Sequence, residues 1–306
     1  MRIERIVAGV DFSEPAIAGV KWAAEHFAPD AELLLVHVID IPAQPRFLRA
    51  ELPSRRDEVE AAARDYATTQ LRELSSLLPN TRARWEIRVG RPFTELIAAA
   101  RDSGADLMLV GPYGDRPRPW RPLGTTAERV IRASAVPVLV ATNVRPSPPK
   151  RLLVPVDEAD VTPTVLRWAR LAANSFGADV TVVHVLTRGA YSHSAVMAEV
   201  VTGDDAAAAE RVDEKARSVG LRWLDELATA GLGGERVTAA VTFGRAGDGI
   251  LALAESEDSD LIILGRTGAG AVRAAILGST VNTVLHGATC PVLVVAESKD
   301  YTTDEE

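Results

Sequence analysis

The sequence predicts an α/β protein of two tandem domains, each a parallel sheet flanked by helices, and two observations carry that prediction. The first is internal repetition. Asp11, His37, Gly90, Asp106, Gly111 and Pro137 return in the same order as Asp157, His184, Gly244, Asp260, Gly265 and Pro291, with only a few residues of insertion between the copies. A period of half the chain is a domain duplication, because solenoid repeats are far shorter. The second is a regular alternation of short apolar runs with longer amphipathic stretches in each half. Parallel neighbours need crossover connections of this kind.

In the first half, residues 3–10 read as a short buried strand and 15–27 as a helix with Ile17, Val20, Trp22, Ala24 and Phe27 on its apolar side. Residues 33–39 form a second strand, so uniformly apolar that both faces are expected to be covered. The Pro-punctuated stretch 41–53 leads into a long helix over 55–78, with Val59, Ala63, Tyr66, Gln70, Leu74 and Leu77 near helical spacing. Pro79-Asn80 ends it. Strands at 83–89, 107–110 and 136–141 follow, separated by helices at 93–102 and 125–132. The second half repeats the order with strands at 152–156, 179–186, 236–243, 261–264 and 292–296, and its long helix lies within 204–230. Each half is therefore expected to be an open five-stranded parallel sheet.

Composition sets the boundaries and excludes some functions. Residues 1–143 form the first domain, 144–150 a linker containing Pro146, Pro148 and Pro149, 151–297 the second domain and 298–306 an acidic tail. A chain of 306 residues that is 47% hydrophobic and 25% charged suffices for two ordinary cores. The net charge of -8 argues against a general nucleic-acid or membrane binder, whose targets attract basic protein. The start, Met1-Arg2-Ile3-Glu4-Arg5, lacks the apolar region of a signal peptide, and no apolar run reaches the roughly 18 residues of a membrane span. With Cys290 as the only cysteine, an internal disulfide is impossible, and a cytoplasmic location is expected.

Ligands of open parallel sheets sit beyond the carboxyl ends of the strands, where the distinctive residues of this chain fall. Asp11 and Asp157 end the first strands, Val38 and Val185 lie near the ends of the second, and Gly111 and Gly265 follow the fourth. The sharpest motif is Gly265-Arg266-Thr267-Gly268, nine residues, then Gly278-Ser279. Its copy is Gly111-Pro112-Tyr113-Gly114, nine residues, then Gly124-Thr125. Gly268 and Gly278 permit close backbone approach, while Ser279 and the first amides of the following helix can donate to an anion, so the expected ligand group is phosphate. Glycines that merely shape a loop, with Ser279 as a helix cap, would look the same in one copy. Retention of the spacing in a diverged second copy favours the ligand role.

On these residues the chain resembles a tandem universal stress protein over nearly its whole length. The family is similar in fold to Rossmann-like adenine-nucleotide-binding domains, and its nucleotide-binding branch carries Gly-x2-Gly-x9-Gly-Ser/Thr. The resemblance implies ATP binding, with a divalent ion such as Mg, in a stress-linked regulatory protein. It places Asp11 and Asp157 at the ribose or adenine side, and Val38 and Val185 against adenine through backbone groups. Gly111, Gly114, Gly124 and Thr125 would surround phosphate in the first half, and Gly265, Gly268, Gly278, Ser279 and Thr280 in the second. It also implies that the halves meet through their last strands as a pseudo-two-fold pair, with a homodimer of the whole chain as a further step.

The copies depart from the pattern in different places. The first keeps Asp11-Phe12-Ser13, but its glycine loop contains Pro117, Pro119 and Pro122, which have no amide donor, and bulky Trp120. Arg116, Arg118 and Arg121 either replace lost amides with charge or form a solvated loop, the latter being favoured. The second has a loop of small residues but carries Ala159 where the first has Ser13. The second half is thus expected to hold the better phosphate site.

Other candidates read as structural. An Asp at a strand end can simply bind loop amides, although its recurrence beside the glycine loop favours a ligand role. His37 and His184 sit in apolar strand patterns, where a packed, hydrogen-bonded ring is expected rather than a general base. His26, His193 and His286 have no metal spacing, and Cys290 before Pro291 reads as an inert core thiol. Three functions follow in order: an ATP-binding stress regulator, a slow ATPase or nucleotide-transfer enzyme, and an interaction module with one or both sites lost. The enzyme reading ranks lower because no Walker Gly-x4-Gly-Lys-Ser/Thr motif is present.

Overall fold

The structure, a computed structural model, describes residues 3–27, 29–40, 56–78, 82–114, 123–159, 161–187, 205–233, 236–266 and 277–296. The expectations for 41–53, for the loop carrying Pro117, Trp120 and Arg121, for His193 and for the tail lie outside the described residues, as does Gly268. The chain divides into two compact units, Met1–Ser147 and Pro148–Glu306.

Unit 1 contains β1 (Arg5–Gly9), α1 (Glu14–Trp22), β2 (Glu32–Ile39), α2 (Arg56–Ser76), β3 (Arg82–Val89), α3 (Pro92–Ser103), β4 (Leu107–Val110), α4 (Thr125–Ala133) and β5 (Val138–Val140). Its strands pair in parallel in the order β3-β2-β1-β4-β5. Unit 2 contains β6 (Arg151–Pro155), α5 (Thr162–Phe176), β7 (Asp179–Leu186), α6 (Asp205–Gly231), β8 (Val237–Phe243), α7 (Ala246–Ser256), β9 (Leu261–Gly265), α8 (Ser279–Gly287) and β10 (Val292–Val295). Its order is β8-β7-β6-β9-β10, again parallel. In each unit the strand order reverses beside the first strand, between β1 and β4 and between β6 and β9. A doubly wound sheet opens its ligand crevice at that switch point.

The apolar runs become central strands because helices cover both of their faces. All four residues of β4 and of β10 are buried, and Ile6, Leu33, Leu35, Leu109, Leu139, Leu152 and Leu153 are among the large side chains sealed most completely. Helix ends obey local chemistry. Pro92 sits in the first turn of α3, and Gly104 and Gly177 take left-handed conformations (φ 59° and 62°) that close α3 and α5.

Four of the six repeated landmarks are architectural. Asp106 Oδ2 accepts from the amides of Glu4 (2.8 Å) and Arg5 (2.9 Å), and Asp260 Oδ2 accepts from those of Lys150 (2.9 Å) and Arg151 (3.0 Å). Each aspartate thereby fastens the start of the first strand in its unit. The Pro137 and Pro291 carbonyls accept from Met108 and Ile262, and the amides of Gly90 and Gly244 donate to Ile39 and Leu186. His37 Nδ1 donates to the Val10 carbonyl at 2.7 Å and His184 Nδ1 to that of Val156 at 2.8 Å, the packed, bonded state expected of them.

Three details differ from the sequence reading. The helix expected over 15–27 ends as α1 at Trp22 and continues as one π-helical turn, Ala23–Phe27. The strand expected over 136–141 is only Val138–Val140, because the Ser134 hydroxyl bonds both the amide and the carbonyl of Val136 and withdraws them from the ladder. On α2 and the turn after it, the expected Leu74 is packed, together with Ala67, Leu71 and Leu78, whereas Val59, Tyr66 and Leu77 are exposed at 55%, 60% and 55%. Both stripes have helical spacing, and the position of the sheet selects between them.

Candidate functional site

In unit 1 the chain leaves β1 and turns sharply at Phe12, whose φ of 65° is costly for a bulky residue. The turn folds Ser13 back on Asp11. Asp11 Oδ1 accepts from the Ser13 amide (3.1 Å) and hydroxyl (2.5 Å), and Ser13 is fully buried. The Phe12 ring stacks on His37 with centroids 4.4 Å apart, and Tyr66 meets its edge at 5.8 Å. Gly111 follows β4 and lies against α1, where a Cβ would come 3.3 Å from the Ala16 nitrogen. Gly114 lies against Asp11, whose Oδ2 would be 2.9 Å from a Cβ there, and Gly124 is close to the Pro112 carbonyl, to which its amide donates at 2.7 Å. Thr125 opens α4, and half-buried Val38 lies near the end of β2. Asp11, Gly111 and Gly114 therefore converge at the β1–β4 switch point.

Unit 2 gathers its candidates around a cleft with a volume of about 400 Å³ at the β6–β9 switch point. Asp157, Val185, Gly265, Gly278, Ser279 and Thr280 all line it. Asp157 Oδ1 accepts the Ala159 amide at 3.2 Å, while its carbonyl accepts the Thr162 hydroxyl at 2.7 Å. Ala159 has no hydroxyl, so the second bond that Ser13 gives Asp11 has no counterpart from this position.

Gly278 caps α8 without any side-chain hydrogen bond, and the first amides of an α-helix have no partner within it. They meet the cleft together with the positive end of the helix dipole. Among the described residues, the nearest neighbour of a Cβ on Gly278 would be the Arg266 carbonyl, at 3.6 Å. Arg266 follows Gly265 and donates its amide to Val295 at 2.8 Å; burial pulls its guanidinium down from the ordinary range.

Helix α8 is pressed against α7 by glycines. A Cβ on Gly247 would lie 2.5 Å from the Thr283 Cβ, and one on Gly287 would collide with Leu251. Gly249, two residues along α7, lies against Val185, whose Cγ1 would be 3.0 Å from a Cβ.

The motif reading missed the apolar wall of the cleft: Val161 and Val165 from the start of α5, Ala246 and Ile250 from α7, and Leu264. Val161 and Val165 carry a detectable signal, helical spacing directly after Asp157. Ala246 and Ile250 carry only the spacing of any buried helix face. Among the described residues no cluster of three or more His, Cys, Asp and Glu could hold a metal ion. Among the same residues no helix is long and apolar enough to cross a membrane.

The strand order and the placement of the cleft define a doubly wound α/β protein in two copies. The universal stress protein family matches residues 2–142 and again 149–296, and the chain belongs to that family. It is 25% identical over 311 residues to a universal stress protein of Mycobacterium tuberculosis, covering 96% of each chain. Over 151 residues it is 28% identical to a universal stress protein of Methanocaldococcus jannaschii, 45% of this chain and 93% of the relative. The crystal structure of a universal stress protein from Archaeoglobus fulgidus has the same fold, with a TM-score of 0.67 at 20% identity over 98% of both chains.

Proposed function

We propose that this protein is an adenine-nucleotide-binding stress-response regulator that takes ATP in the unit 2 cleft. The observation that carries the proposal is convergence. An acidic side chain, an apolar wall and the open N-terminus of α8 face one cavity of the size that small-molecule ligands occupy, about 300–1,000 Å³. Val161, Val165 and Ile250 would bury the base, Asp157 would accept from ribose hydroxyls, and Val185 would offer backbone groups to adenine. The amides of Ser279 and Thr280 would hold phosphate oxygens, which Gly278 lets come close. Magnesium would arrive with the triphosphate, which suits an ion that keeps its waters and needs few protein ligands.

Binding rather than turnover fits the chemistry of the walls. Among the described residues that line the cleft, Asp157 and His184 are the only ionisable side chains, and no lysine accompanies the glycine loop. Occupancy acts by linkage: a ligand that binds only the folded unit stabilises it by about 2.7 kcal/mol at a hundredfold excess over Kd. Identification of nucleotide retained by gently purified protein, with its stoichiometry, tests the proposal. Retained adenine nucleotide at one equivalent or more per chain is expected. Absence of any, together with no thermal shift on adding ATP, would overturn it.

A further inference from the structure

The two units carry outer strands of opposite character. In unit 1, β3 has Arg82, Arg84, Glu86 and Arg88 among its eight residues; Arg84 pairs with Glu32, and Arg88 with Glu86 at 2.6 Å and Asp102 at 3.1 Å. Charges on an edge strand defend it against pairing with another chain. The matching edge of unit 2 is β8, and its seven residues, Val-Thr-Ala-Ala-Val-Thr-Phe, carry no charge. Its register fixes which backbone groups face outward. The Val180 amide donates to the Arg236 carbonyl and the Gly244 amide to the Leu186 carbonyl, so even-numbered residues turn their amides and carbonyls toward β7. Those of Val237, Ala239, Val241 and Phe243 therefore face away from it. Among the described residues, the amides of Val237, Ala239 and Val241 take part in no hydrogen bond. Arg217 reaches this edge from α6, donating Nη1 to the Val241 carbonyl at 2.8 Å with its guanidinium 4.9 Å from the Phe243 ring centre. That tie uses one lone pair of one carbonyl and none of the amides.

We propose that β8 pairs with β8 of a second copy of this chain, antiparallel and centred on Ala240, joining two unit 2 sheets across a two-fold axis. The strand is complementary to its own reverse. Pairing about Ala240 sets Val237 opposite Phe243 and Ala239 opposite Val241, so the four outward-facing residues meet one another and each larger side chain meets a smaller one. The charges of the flanking sequence agree, since Glu235 stands as far before Ala240 as Arg245 stands after it. Opposite charges brought level across a strand pair favour it, and here they favour a second copy over an unrelated strand. The inference is independent of what the cleft holds.

Sedimentation equilibrium of the full chain, without nucleotide, tests the pairing. One short strand makes a small interface, so the parent is expected to pass from monomer to dimer between about 1 and 100 µM. Ala239→Pro removes an outward amide that β7 does not use, so it should keep the melting temperature while weakening association at least about tenfold. Ala240→Cys tests the register. Residues facing each other at the centre of such a pair have Cα atoms about 4.5 Å apart, within reach of a disulfide. Copper-catalysed air oxidation should link this variant into a covalent dimer, whereas Thr238→Cys, whose position faces Thr242 in this register, should stay unlinked. Cys290, the only native thiol, is buried and does not compete. A parent that stays monomeric would overturn the proposal, as would a folded Ala239→Pro variant that associates like the parent. If Ala239→Pro unfolds, the cysteine variants decide: linkage of Ala240→Cys but not of Thr238→Cys upholds the seam, and any other result overturns it.

Discussion

Ser13 donates twice to one oxygen of Asp11, once from its amide at 3.1 Å and once from its hydroxyl at 2.5 Å, whereas Ala159 gives Asp157 its amide alone. Ser13 is fully buried and its hydroxyl also lies 3.5 Å from the Tyr113 carbonyl. Ser13→Ala is expected to destabilise unit 1 by about 1 kcal/mol, a typical hydrogen-bond contribution, because solvent can reach the exposed Asp11 and replace part of what is lost. Urea unfolding measures the loss; an unchanged midpoint would show the hydroxyl to be dispensable.

Gly278→Val separates ligand approach from folding. The φ of -58° and ψ of 147° suit any residue, and among the described residues the nearest atom to a new Cβ is 3.6 Å away. The ligand-free protein should therefore lose no more than about 1 kcal/mol, the scale of a helix-cap change. The thermal shift produced by ATP should largely vanish, because the side chain fills the space in front of the α8 amides. A full shift in the variant would place phosphate elsewhere.

Asp260→Ala should do the opposite. It removes the acceptor of the Lys150 and Arg151 amides and an ion pair to Arg151 at 3.6 Å, with the aspartate side chain only 11% exposed. Stability should fall by about 2 kcal/mol while ATP affinity of the folded protein holds. Parallel calorimetry and denaturant titration would reveal any affinity loss, which would give this landmark a ligand role.

Gly247→Ala tests the seating of α8. Alanine favours a helix by up to about 1 kcal/mol over glycine. A Cβ 2.5 Å from that of Thr283 cannot be relieved by rotating a side chain, so overpacking of about 1–3 kcal/mol should win. Lower stability and weaker ATP binding are expected together. A more stable variant would show that the helices have room to part.

The architecture was legible because it is written in long-range chemistry that recurs. Apolar runs such as Leu107–Val110 must be covered on both faces, and their alternation with amphipathic stretches leaves a parallel sheet as the arrangement. What escaped depends on contacts between distant segments. The π-helical turn at Ala23–Phe27 is too short for a period to register, and the early part of the last strand in unit 1 is lost to a side chain, Ser134. On α2, Val59 and Tyr66 belong to an apolar stripe that periodicity cannot distinguish from the neighbouring stripe of Ala67 and Leu71. At the site, the glycines and aspartates were visible as repeated pairs. The wall was less so: Val161 and Val165 show only helical spacing after Asp157, and Ile250 carries the same pattern whether it faces a sheet or a ligand.

The glycines of α7 make this helix a common wall for the two ends of the cleft. Gly249 rests on Val185 at the strand end proposed for the base, and Gly247 rests on Thr283 one turn into the helix proposed for phosphate. With no side chain as a cushion at either contact, the distance between the base end and the phosphate end is set by backbone thickness. Unit 2 is in that sense a gauge of fixed span: a ligand too short to reach both ends gains one set of contacts only, and one that reaches both clamps β7, α7 and α8 into a single body.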